Sequence, residues 1–216
     1  MARMSTLDLA ALQAAPLKSD PFPYVVVPNF VRPEAFEAAL RDYPHMRDAG
    51  SFPVFTQAPG PALRTVLAEL EGPAFRKAVE EKLGIDLTGR PTMTTLRGRA
   101  RARDGQIHID SKSKVVTVLV YMNPASGSWE DHAGCLRILR GPNDLENYVE
   151  EVPPTNGTLL VFPCVPHAWH GHHGFEGERR VIQLNWVTDE SVVKREQRRH
   201  GVSAFFKKLN PFKRAA

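Results

Sequence analysis

Four of the chain's eight histidines crowd into residues 166–173, Pro-His-Ala-Trp-His-Gly-His-His. They follow directly on the apolar run Gly157–Phe162, GTLLVF. An imidazole-rich turn at the end of a strand suits a metal site, because neutral histidine ligates both iron and zinc. The bland alternative is a solvated histidine-rich loop. A second motif is His108-Ile109-Asp110. On a strand, positions i and i+2 project from one face, so this imidazole and carboxylate can grip a single ion. Alone the pattern is common, and a surface histidine beside a solvated aspartate is its ordinary meaning. A third motif is Gly177-Glu178-Arg179-Arg180, which runs into the apolar segment VIQLNWV. An arginine directed inward at the start of a buried strand needs an anionic partner, whereas two arginines at a solvated strand end need none. In a regular strand Arg180 faces away from Arg179. Zinc is the competing metal, but Cys135 and Cys164 have no C-x-x-C spacing, and a zinc hydrolase has no need of the arginine. Two histidines and one carboxylate on one face of Fe(II) leave positions open for substrate and oxygen. A nearby guanidinium supplies a fixed cation for a dicarboxylate.

Together these motifs resemble the 2-oxoglutarate/Fe(II) dioxygenase family, and in particular its prolyl-4-hydroxylase-like branch, over roughly residues 91–188. That family carries H-x-D on one strand, a distal histidine after a later strand, and an arginine nine residues beyond that histidine. His108 and Asp110 match the first pair. His170 lies nine residues before Arg179, while His167 lies twelve and His172 seven before it. The resemblance implies that His108, Asp110 and His170 hold Fe(II) and that Arg179 holds the far carboxylate of 2-oxoglutarate. Thr117, Leu119 and Tyr121 alternate onto one face of the strand-like KVVTVLVYM. By resemblance Tyr121 and Thr117 face the co-substrate; a core tyrosine bonded to backbone is the alternative. Gly134-Cys135-Leu136-Arg137-Ile138 is similar to the family's Gly-Gly-x-Leu-Arg-Ile, with Ala133 in place of the first glycine, and this sets Leu136 along the same pocket.

His172, Trp129 and Arg97 are candidates for substrate contact or for orienting the ligands. Arg97, Arg99 and Arg101 at period two, with Lys112 and Lys114 nearby, point to an anionic substrate or to an edge strand guarded by charge. The implied activity is that of a dioxygenase using Fe(II), 2-oxoglutarate and O2, releasing succinate and CO2, with ascorbate as a candidate reductant. Retention of Asp110 favours hydroxylation over halogenation. The rival readings are a metal-dependent cupin enzyme that does not use 2-oxoglutarate, and a non-catalytic small-molecule-binding module of the same fold. Demethylation of DNA lacks its second arginine, because Gln183 and Asn185 stand on that face beyond Arg179.

The elements that would position these residues divide the chain in two. Helices are expected over 5–15 with Ser5 as N-cap, over Pro33–Asp42 with Pro33 in the first turn, and over 61–71 and 73–83, ending at Gly84. Tyr24–Val27 reads as a strand, and residues 44–60, broken by proline and glycine, as a long irregular loop. From residue 91 the pattern turns to strands: Thr92–Arg99, Ile107–Asp110, Lys114–Met122, Leu136–Leu139, Gly157–Phe162 and Val181–Val187. The expected fold is α+β, a double-stranded β-helix (a jelly-roll or cupin-like β-sandwich) with N-terminal helices packed on one sheet. The organisation expected is a support region over 1–90, an oxygenase core over 91–188 and a basic helix and tail over 189–216.

A chain of 216 residues with 42% hydrophobic and 24% charged residues can bury a core without staples. Two cysteines are too few for a disulfide framework, so a reducing cytoplasm is expected. No signal peptide or membrane-spanning run is read from the sequence. The net charge of +4 is uneven: residues 190–216 hold eight Lys/Arg and two Glu, leaving the rest near neutral. That argues against nucleic acid and for a small-molecule or peptide substrate. The tail interleaves Phe205, Phe206 and Phe212 with lysines. It is a candidate for contact with an acidic membrane surface, or for packing on its own domain or a second subunit. The oligomeric state is not legible.

Overall fold

The structure, a computed structural model, describes residues 5–125, 129 and 131–195. Two antiparallel sheets face one another. The larger has six strands in the order β1 (Val25–Val27), β7 (Leu159–Pro163), β4 (Lys114–Tyr121), β9 (Gly177–Val187), β3 (Thr92–Ala100) and β2 (Phe52–Pro53). The smaller has β6 (Tyr148–Val152), β5 (Leu136–Leu139) and β8 (His170–Gly171). This is the expected double-stranded β-helix, with helices on the outer face of the large sheet.

Alternation within β4 divides its two faces. Val116, Val118 and Val120 enter the core beneath the helices, while Leu119 and Tyr121 pack in the second core between the sheets. β9 follows the same rule. Ile182, Leu184 and Trp186 face the helices, and Val181 faces the small sheet. The covering helices are α1 (Leu9–Ala14), α2 (Pro33–Arg41), α3 (Pro61–Leu70) and α4 (Pro73–Leu83). Buried Leu63, Val66, Leu67 and Leu70 form the inward stripe of α3, at the spacing that one helix face requires. α4 ends at Gly84 in the left-handed region, φ 67°, where glycine costs least. Phe75 of α4 stacks on Trp186 of β9 at 6.0 Å and meets Phe30 at 5.7 Å. Tyr43 Oη sits between the backbone carbonyls of Arg97 (2.8 Å) and Val181 (3.0 Å), tying β3 to β9.

Several sequence expectations change. Asp8, not Ser5, caps α1, accepting a bond from the Ala11 amide; the Ser5 hydroxyl reaches Glu69 instead. The loop over 44–60 contains β2 and a short 3-10 turn at Val54–Thr56. Residues 107–110 do not form a strand; only His108 makes a bridge, to His170. β6 was not expected at all. Residues 190–195 are helical, and the remainder of the tail lies outside the described residues.

Truncating Phe75 to alanine removes the ring that joins α4 to the sheet. It is expected to cost about 3–5 kcal/mol of stability, read as a lower urea midpoint.

Candidate metal and co-substrate site

The site begins with a backbone rung. His108 N–H donates to the His170 carbonyl and His170 N–H to the His108 carbonyl, each at 3.0 Å. Residues that exchange both bonds across an antiparallel pair lie directly opposite and share a face. The two imidazoles therefore stand side by side, with ring centroids 4.3 Å apart. Each Nδ1 lies on a nearby backbone carbonyl, His108 on Gln106 at 2.8 Å and His170 on Ala168 at 2.9 Å. When Nδ1 carries the proton to donate, each Nε2 is left as a lone-pair donor. Burial, then the neighbouring His108, lowers the His170 pKa to about 4, so this imidazole is neutral at pH 7.

Asp110 follows two residues after His108, its side chain only 8% exposed. Its Oδ1 pairs with Lys114 Nζ at 2.6 Å, and its Oδ2 accepts from Thr117 Oγ1 at 2.5 Å. Burial alone would raise its pKa, but Lys114, His170 and the Thr117 bond overcome that and hold it below the usual carboxylate range. Among the described residues, no three His, Cys, Asp or Glu side chains already stand in a metal-holding arrangement. The donor types fit Fe(II), namely two neutral imidazoles and one carboxylate. A carboxylate also has lone pairs enough to serve Lys114, Thr117 and an ion together.

Arg179 enters from β9 where its register against β3 slips between Arg97 and Arg99, the kind of bulge that re-aims a side chain. It is 6% exposed. Its Nε donates to the Gly134 carbonyl at 2.9 Å, while Nη2 is buried without a partner. Among the described residues it makes no ion pair, and burial lowers its pKa. Tyr121 lies beside it, ring centroid 5.5 Å from the guanidinium carbon. Its hydroxyl is likewise buried, with no hydrogen bond of regular geometry and only the Arg179 guanidinium close enough to interact, and burial pushes its pKa up to about 12. A buried cation without a counter-ion, whose polar side-chain neighbour is a hydroxyl, is unfavourable unless an anion completes it.

A cavity of about 190 Å³ gathers most of the expected residues: His108, Asp110, His170, Arg179, Thr117 and Leu136, together with His172 and Arg97. Tyr121 sits next to Arg179 but does not line this cavity. The Thr117 hydroxyl serves Asp110 first and also accepts from Asn185 Nδ2 at 2.7 Å. His172 is 7% exposed, and its ring packs so close to Gly105 (φ +94°) that a Cβ there would come within 2.4 Å of it. Trp129 stands apart, stacked on Phe175 at 4.7 Å. His167 is exposed. His173 joins Glu146 at 2.6 Å and Arg137 at 2.9 Å on the small sheet. Arg180 turns outward to Glu178, as alternation requires. Two neighbours of Asp110 belong to none of the sequence motifs. Lys114 lies four residues on and was read only as part of a basic patch. Cys164, 3.9 Å from Asp110 Oδ2, carries no motif.

Residues 99–188 match the family model for the 2OG-Fe(II) oxygenase superfamily. Over these residues the chain is similar to a 2OG-Fe(II) oxygenase domain. That superfamily requires Fe(II), 2-oxoglutarate and O2 and catalyses oxidations. No curated protein matches the chain. Solved structures share the fold at low identity. One prolyl 4-hydroxylase, from Phytophthora capsici, gives a TM-score of 0.56 at 16% identity, covering 88% of this chain and 68% of that one. A prolyl-4-hydroxylase from Pseudomonas putida gives 0.53 at 18% identity, covering 87% and 94%. The Trichoplax adhaerens prolyl hydroxylase, in complex with a hypoxia inducible factor oxygen degradation domain peptide fragment, gives 0.52 at 16% identity, covering 85% and 88%. No helix among the described residues is long and apolar enough to cross a membrane.

The lowered pKa values of His170 and His172, both about 4 through burial first, predict how the metal-free oxygenase responds to pH. The unfolded chain protonates these rings near pH 6.5, whereas the folded one resists until about 4. The contribution of these two rings to stability is therefore full above pH 6.5 and falls as pH drops through that window. Melting temperature in EDTA is expected to decline between pH 6.5 and 4.5, and less steeply for His172→Gln.

Proposed function

We propose that His108, Asp110 and His170 hold Fe(II), that Arg179 and Tyr121 receive the far carboxylate of 2-oxoglutarate, and that the enzyme hydroxylates a small-molecule or peptide substrate. One observation carries the reading: a buried guanidinium without a counter-ion borders the same small cavity as two imidazoles whose Nε2 atoms are free. A metal enzyme without a dicarboxylate co-substrate has no use for Arg179. When bound, Fe(II) with 2-oxoglutarate supplies the oxidising power that places one oxygen atom of O2 in a substrate C–H bond and the other in succinate.

The chain's own residues bind, orient and exclude water. The carbonyls of Gln106 and Ala168 fix the histidine tautomers. Thr117 holds Asp110 by one oxygen, and Asn185 holds Thr117 in turn. Arg179, anchored by the Gly134 carbonyl, presents its remaining donors without having to reorganise. Leu136 and Val181 keep that end of the pocket dry. Lys114 shares Asp110 and moderates the negative charge offered to the ion. Retention of Asp110 supports hydroxylation, since halide would need its place.

Succinate release with Fe(II) and ascorbate tests the assignment. Asp110→Ala is expected to abolish it. Arg179→Ala is expected to raise the 2-oxoglutarate requirement by about a hundredfold, the loss of a charge-assisted pair in a dry site. Turnover unchanged in both variants would remove the assignment. Thr117→Val keeps the shape but frees Asp110, and is expected to weaken Fe(II) binding by about 10–100-fold, measured by competition with a chelating dye.

A further inference from the structure

A second cavity, of about 720 Å³, lies beside the one just described and shares Arg97, Lys114 and Gln183 with it. Its size suits a ligand of some tens of atoms. Arg97 also borders a third cavity, about 310 Å³, which His108 and Arg101 line as well. Arg97 thus stands where the three spaces meet. Its backbone is pinned by Tyr43, but its guanidinium has no hydrogen-bond or ion-pair partner among the described residues. The two carboxylates that influence it are engaged elsewhere, Asp104 by Arg101 at 3.1 Å and Asp110 by Lys114 at 2.6 Å. The Lys114 charge is therefore spoken for, and of the cations lining the large cavity Arg97 is the free one that also borders the metal-side cavity, Arg195 lying outside the latter.

The walls of the large cavity are polar in one stretch and largely apolar in another. Thr95, Gln183 and Asn185 make the first stretch polar. Its one carboxylate, Glu71, is occupied by the Thr94 hydroxyl. Val54, Phe55, Val192 and Val193 make the second stretch largely apolar, with the exposed Arg195 also lining it. Phe55 is 66% exposed. A single exposed aromatic needs no explanation, but one that continues the apolar wall of a cavity offers a surface for a ligand to cover.

We propose, on the footing of the oxygenase reading above, that the primary substrate is an amphipathic small-molecule carboxylate. Its anionic end pairs with Arg97, and its apolar part lies along Val54, Phe55, Val192 and Val193. The planar fork of the guanidinium matches a carboxylate bidentately. An uncharged isostere would leave that cation withdrawn from water without a partner, so the site discriminates by charge as well as by shape.

The test uses the full-length protein with Mn(II) and saturating 2-oxoglutarate, so that Arg179 is occupied before a probe is added. Calorimetric titration with 2-oxoglutarate comes first, then octanoate and its neutral counterpart octanamide. Octanoate is expected to bind at least about tenfold more tightly than octanamide. Arg97→Gln is expected to remove that preference, and Arg97→Lys, which keeps a charge, to restore part of it. Phe55→Ser, at a position 66% exposed, is expected to weaken both probes alike. The proposal is overturned by equal affinity of the wild type for the two probes, by no detectable binding of either, or by a preference that survives Arg97→Gln. Each of these leaves the oxygenase reading standing. Failure of the first titration to show 2-oxoglutarate binding overturns that reading, and this proposal with it.

Discussion

The site hangs on one pair of backbone hydrogen bonds, those exchanged between His108 and His170. They add a single rung to the edge of the small sheet, next to β8. That rung brings together two imidazoles sixty-two positions apart in sequence and aims them the same way. Everything around it protects the close approach. Residues 101–108 cross residues 170–174 so tightly that a Cβ on Gly174 would fall 2.3 Å from the Ala102 carbonyl oxygen, and one on Gly105 would enter the His172 ring. A larger residue at either position would push the two segments apart and carry His108 away from His170. The rest of the small sheet holds the other side of the rung. Ile138 of β5 pairs with His170, and Arg137 anchors β5 through Glu151 at 2.6 Å and the ring of Tyr148 at 4.4 Å.

What could be read from the sequence follows from what is local. The stripes of α2, α3 and α4 and the β-branched run of β4 are periodic, and so they were visible. The nine-residue step from His170 to Arg179 and the H-x-D pair were also visible, because each spans a stretch whose spacing the backbone controls. The rung itself was not. Residues 107–110 look like a strand by composition, yet their ladder stops after one bridge, since β8 is only two residues long. β6, Tyr-Val-Glu-Glu-Val, was hidden because its glutamates read as solvent. Glu150 and Glu151 instead meet Tyr24 and Arg137, partners that are distant in sequence. Lys114 was read as one of a basic cluster because its ion pair with Asp110 depends on the turn at residues 112–113. Trp129 was read as a substrate residue from its loop, and the structure gives it to Phe175.

The charge distribution of the pocket explains why its parts need each other. Arg97, Lys114 and Arg179 bring three positive charges to the small cavity, and Asp110 is the carboxylate lining it. Such an imbalance, partly withdrawn from water, opposes folding. His170 and His172 do not add to it, because burial keeps both rings neutral at pH 7. A dication and a dicarboxylate entering together cancel one another and leave the surplus where it was. Asp110 offsets one of the three cations, by its pair with Lys114. In the arrangement proposed above, the co-substrate would pair with Arg179 and redistribute charge toward the metal. Arg97 is then the cation that neither iron nor 2-oxoglutarate satisfies. An enzyme that needed only to hold its cofactor could have placed a neutral side chain there. Asp104 and Asp110 offset part of the cost of a guanidinium at the junction of three cavities, and under the proposal a third ligand that carries negative charge would offset the rest. The same electrostatic reasoning that fits Arg179 to a co-substrate therefore fits Arg97 to the molecule being oxidised.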